Sequence, residues 1–127
     1  LPVERQSVTH KFELAGHEGY IIVGLYPDGT PGEILLHGFG KDGSFIQAMM
    51  GVWGKAMSNA LQYGQPVHKL ITNYLGTNFE PNGWTSSQDI PKATSIPDYI
   101  ARWMALTFLS EEQRKSYKID VVPGDLL

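Results

Sequence analysis

Two runs near the start of the chain, Ser7 to Ala15 and Glu18 to Tyr26, are rich in β-branched and aromatic residues and are separated by Gly16-His17. Such runs joined by a glycine-containing turn predict adjacent antiparallel strands. Pro27-Asp28-Gly29 follows, in which proline fixes φ and glycine accepts a positive φ, and a third apolar run extends from Glu33 to Phe39. Residues 1–40 therefore read as a meander of three or more antiparallel strands. The period then changes. Phe45, Met49, Val52, Ala56 and Ala60 recur at helical spacing, with Ile46, Met50, Trp53 and Met57 widening the apolar face, which predicts a long, largely buried helix. Ser44 can cap its start, and Gly64 with Gln65-Pro66 supplies a stop. A shorter helix is expected from Val67 to Leu75, completing a helical segment over 44–75.

Residues 76–95 hold glycines, prolines, asparagines and hydroxyl side chains without periodicity, and read as a long ordered loop. Loops of that length are uncommon unless they function. C-terminal helices are expected over 95–117. Ser95 begins one, with Pro97 in its first turn and Ile100, Trp103, Met104, Thr107 and Phe108 along one face. Ser110-Glu111-Glu112-Gln113 carries the spacing of a capping box for a second. Ile119 to Leu127 reads as a tail. Two to three helices on one face of a meander define an α+β fold, with residues 1–127 as a single domain.

Composition narrows the function. A chain of 127 residues with 42% hydrophobic content and a net charge of −3 has room for a core and is not a disordered segment. With no cysteine, thiolate metal sites, disulfides and cysteine nucleophiles are excluded. Thirteen acidic residues against ten basic ones disfavour duplex nucleic acid as a partner, so an anionic ligand would be small and held locally. No apolar run approaches the roughly 18 residues of a membrane helix, and the N-terminus lacks the form of a signal peptide, so a cytoplasmic, non-membrane protein is expected.

Gly38-Phe39-Gly40-Lys41-Asp42-Gly43-Ser44 matches G-x-G-x-x-G, yet the hairpin-connected strands before it and the absence of an acidic residue about 20 positions on exclude a Rossmann reading. A helix start with Lys41 and Ser44 beside it can still hold a phosphate; the alternative is a turn, with Asp42 as a turn residue. Gly51 and Gly54, inside the long helix, each cost about 1 kcal/mol relative to alanine and imply close packing, against a strand or a second copy of the helix. His10, His17, His37 and His68 lack metal-ligand spacing, and no nucleophile motif occurs, so no metal, cofactor or catalytic residue is expected. Within the loop, Phe79, Asn82, Trp84 and Thr85 place two aromatics beside an amide, the means by which bases are stacked and read; the alternative is that the aromatics anchor the loop in the core. Arg102 lies within an apolar helix and needs a partner, either Asp98 four residues earlier or a ligand phosphate.

The run "RQSVTHKFELAGHEGYIIVGLY" with "PDGTPGEILL", then "ALQYGQPVHKLI", "FEPNGWT" and "SIPDYIARWMALTFL", resembles in order and spacing the C-terminal domain of adenosylcobalamin-dependent (class II) ribonucleotide reductases. The resemblance covers nearly the whole chain. It implies a module without the reductase chemistry, which in that family lies in a separate barrel with cysteines and a cobalamin site. As a stand-alone domain the chain is also similar to phage proteins of the anti-Thoeris kind. Those sequester cyclic ADP-ribose isomers, and in some cases cyclic oligonucleotides, between subunits of an oligomer. That second likeness implies a non-catalytic, homo-oligomeric sponge for a small nucleotide signal, acting in the host cytoplasm if phage-encoded. Phe79, Asn82, Trp84, Thr85 and Arg102, with Lys41 and Ser44, would be its ligand-facing residues. The first likeness implies instead an accessory or C-terminal interaction domain of a reductase.

Overall fold

The computed structural model describes residues 1–41 and 43–123; Asp42 and the last four residues of the expected tail lie outside the described residues. The chain falls into two compact units, one made of Leu1–Phe12 and His17–Pro66, the other of Glu13–Gly16 and the chain from Val67 onward. The fold class is α+β, as the periodicities predict.

Three strands, β1 (Ser7–Leu14), β2 (His17–Leu25) and β3 (Pro31–Gly38), lie in the order β1-β2-β3, and all but the last two residues of β1 belong to the first unit. The turn between β1 and β2 is Ala15-Gly16, one residue earlier than Gly16-His17. Both turn residues have positive φ, 50° and 86°, the handedness that matches the twist of a two-residue hairpin. Between β2 and β3, the Asp28 carboxylate accepts the Thr30 amide at 3.0 Å and the Thr30 hydroxyl at 2.6 Å, and Gly29 takes the left-handed position. These hydrogen bonds to the ionised form hold the Asp28 carboxyl below its ordinary range. β2 pairs antiparallel with β3, Ile21 opposite Leu36 and Val23 opposite Ile34. Ile21, Val23 and Ile34 are fully buried, whereas Leu35, on the opposite side of the pleat, is half exposed.

Helix α1 (Phe45–Gln62) packs on β3, its start capped by the Ser44 hydroxyl, which accepts the Gln47 amide at 3.3 Å. Its orientation corrects the sequence reading. The buried residues are Met50, Gly54, Met57, Ser58 and Leu61, while Phe45, Met49 and Val52 are exposed. Small residues decide the phase. A Cβ at Gly54 would lie 3.0 Å from the Ile34 carbonyl oxygen, so only glycine lets the backbones approach this closely. One turn on, the Ser58 hydroxyl accepts the Ile34 amide at 2.8 Å and lies 2.9 Å from the Gly54 carbonyl oxygen. Gly51 has no such neighbour; a Cβ there would meet nothing within 4 Å. Close packing against a strand thus accounts for Gly54 and not for Gly51.

The glycine-rich segment before α1 seats a core residue. Phe39 is buried at φ 36°, between Gly38 and Gly40, and its ring lies 5.3 Å from that of Phe12. A Cβ on Gly19 would fall 2.2 Å from the Phe39 ring, so that strand glycine makes room for it.

The second unit holds α2 (Val67–Tyr74), the two-residue strands β4 (Gly83–Trp84) and β5 (Lys92–Ala93), α3 (Ile96–Phe108) and α4 (Glu111–Ser116). β4 and β5 pair antiparallel inside the segment expected to be loop, and Leu14 bridges to Thr85 beside them. Leu70, Ile71, Ile90, Ile100 and Met104 form the core, with α2 packed on α3. Ser110 and Gln113 form the reciprocal capping box.

Candidate functional site

The segment 76–95 is closed at its neck by one residue of α3. Ser95 caps the helix by accepting the Asp98 amide at 2.9 Å, which points the Asp98 side chain back at the loop ends. The carboxylate accepts the Gly76 amide at 2.7 Å and the Thr94 amide at 3.0 Å, joining the two ends of the segment. Around it, the Thr77 and Ser95 hydroxyls lie 2.8 Å apart, and the Thr94 hydroxyl donates to the Thr77 carbonyl at 2.7 Å. Asp98 has no exposed surface, and an ionised carboxylate can be buried only if it is paired and hydrogen-bonded. Arg102 supplies the counter-charge: its Nε lies 3.0 and 3.1 Å from the two carboxylate oxygens, and an Nη donates to the Asp120 carbonyl at 2.9 Å. The pairing that the i,i+4 spacing allowed is the one formed, and it leaves the Arg102 side chain 9% exposed.

Beyond the neck the segment is held by hydrogen bonds within itself and to Glu13 and Ala15. The Thr85 hydroxyl bonds the Ile90 carbonyl and accepts the Ser87 amide at 3.0 Å, so this candidate side chain is engaged within the loop. Ala15 donates its amide to the Trp84 carbonyl at 2.9 Å, and Glu13 and Ser86 exchange hydrogen bonds at 2.9 and 3.0 Å. What remains outward is aromatic and polar. Phe79 is 50% and Trp84 66% exposed, so neither anchors the loop in the core, and Asn82 is exposed as well. The Lys92 ammonium lies 5.9 Å from the centre of the Trp84 ring, within cation–π range. Lys92 is the element of this surface that reading the sequence missed. Its signal is the cross-strand register, Trp84 opposite Lys92, which depends on two strands too short to show periodicity.

Lys41 and Ser44 belong to the first unit and the other five candidates to the second. Lys41 is exposed, and the Ser44 hydroxyl is the α1 cap. Two surface grooves of the first unit, of about 550 and 450 Å³, are lined by none of the seven candidates. Among the described residues no three His, Asp or Glu side chains gather as metal ligands would, and no helix is long and apolar enough to cross a membrane.

Residues 2–108 match the model of the TSCPD domain, and the chain belongs to that family. Its relatives include the vitamin B12-dependent ribonucleotide reductase of Rhodopirellula baltica, 53% identical over 110 residues, which are 87% of this chain and 10% of that enzyme. The enzyme of the same name from Streptomyces coelicolor is 40% identical over 119 residues, 94% of this chain and 12% of the relative. That from Agrobacterium fabrum is 39% identical over 110 residues, 86% of this chain and 9% of the relative. The chain thus spans about a tenth of the length of these three relatives. No solved structure matches.

Proposed function

We propose that the chain is a non-catalytic accessory domain of a vitamin B12-dependent ribonucleotide reductase, docking through the exposed surface of Phe79, Asn82, Trp84 and Lys92. The carrying observation is the match itself: nearly the whole chain corresponds to a domain-sized tenth of those enzymes. The lack of any cysteine supports a role outside thiol chemistry. Exposed aromatics on a loop clamped at its neck suit a preorganised contact surface, because a few anchors, tryptophan prominent among them, carry most binding energy at interfaces.

The test is calorimetric titration of the chain into a vitamin B12-dependent reductase shortened by the matching segment. A complex is expected, with Trp84→Ala weakening it about tenfold, the loss of one anchor of about 1.4 kcal/mol. No complex, together with tight binding and intact recovery of a cyclic ADP-ribose isomer or cyclic oligonucleotide, would replace this function with sequestration of a small nucleotide signal.

A further inference from the structure

We propose that α1 is the interface of a homodimer, its outward stripe packing antiparallel against the same stripe of a second copy. At 100° per residue, Phe45, Met49, Val52, Ala56, Asn59 and Tyr63 fall on one line, spaced 4-3-4-3-4, on the side of the helix opposite Met50, Gly54, Met57 and Leu61. That spacing is the seam of helices packed in pairs. Phe45 is 81%, Val52 62%, Met49 43% and Tyr63 93% exposed. The outward face of a surface helix is ordinarily charged, whereas Phe45–Gln62 holds a single charged residue, Lys55, at the edge of the stripe.

The stripe fits its own copy better than it fits an arbitrary partner. With the helices antiparallel about a twofold axis near Gly54, Phe45 faces Tyr63 of the second copy, Met49 faces Asn59, and Val52 faces Ala56, so larger residues meet smaller ones at the centre and aromatics meet at both ends. The helix ends point the same way. α1 has no acidic residue in its first turn and no basic residue in its last. An antiparallel neighbour brings the negative end of one dipole to the positive end of the other, while a parallel one would set like ends together. Stable interfaces take at least roughly 600 Å² from each partner, an area of the order that six exposed residues, two of them aromatic, present together.

Sedimentation velocity of the purified chain tests this directly. A dimer dissociating at roughly micromolar concentration is expected, with Val52→Glu weakening self-association at least tenfold while circular dichroism stays unchanged, since Val52 points away from the core. The chain has no cysteine, so Phe45→Cys and Tyr63→Cys variants report geometry: a short bis-maleimide should join the two variants to each other in a mixture and neither to itself. A monomer at every concentration, a dimer indifferent to Val52→Glu, or self-linkage of either single variant would overturn the proposal. So would a monomer whose stripe becomes protected only on adding a reductase.

Discussion

Asp98 has no exposed surface, yet its carboxylate takes hydrogen bonds from the backbone amides of Gly76 and Thr94 and from Arg102. The pair was legible in the sequence because both partners lie on one helix face, four residues apart. The amides of Gly76 and Thr94 were not legible, since no rule of spacing predicts which side chain closes a loop of twenty residues. With Arg102 buried against Asp98, its substitution should read out on stability before it reads out on any ligand. Asp98→Asn keeps the size of the side chain but leaves the guanidinium without a counter-charge, which costs on the order of 3–5 kcal/mol for a buried pair. Urea unfolding followed by tryptophan fluorescence should show that loss, and Asp98→Asn combined with Arg102→Met should recover part of it. Equal losses in the single and double variants would mean the amide clamps, not the ion pair, carry the energy.

At the scale of the element, α1 shows both what periodicity establishes and where it stops. The 3.6-residue repeat placed the helix and its cap correctly, but both sides of the helix are apolar, so the repeat could not say which side is buried. The phase is set by fit to β3, where Gly54 and Ser58 meet the Ile34 backbone, and that fit exists only once the strand is in place. Two glycines three residues apart therefore have opposite expected responses. Gly54→Ala drives a methyl to 3.0 Å from a carbonyl oxygen and should destabilise by about 1–2 kcal/mol despite the better helix propensity. Gly51→Ala enters open space and should stabilise by about 0.5–1 kcal/mol. Denaturant midpoints of the two variants check both signs. The short strands β4 and β5 mark the same limit from the other side: two residues cannot display a period of two, so the register that pairs Trp84 with Lys92 had no sequence signal.

For the whole molecule, composition and periodicity reached the α+β class, while the reductase kinship came from resemblance, because a meander followed by helices is a pattern that many α+β domains share. The molecule's response to pH follows from its structure more directly. Burial pushes the Tyr99 phenol up to about 12 from an ordinary value of 10, with no part of the residue exposed. A raised folded value means that the folded state keeps the proton longer. Its contribution is complete below pH 10 and drains away as pH rises toward 12, by about 2–3 kcal/mol at most. Asp28 works at the other end with the opposite sign. Its carboxyl is held below the ordinary 3.8 by the Thr30 hydroxyl and amide, so its contribution is present above that value and lost as pH falls through the depressed one. Between these limits neither group makes stability depend on pH. Tyr99→Phe should cost about 1 kcal/mol at neutral pH for a lost hydrogen bond and should flatten the fall between pH 10 and 12. Unfolding free energies measured across that window decide it, since an unchanged alkaline slope in the variant would place the titrating group elsewhere.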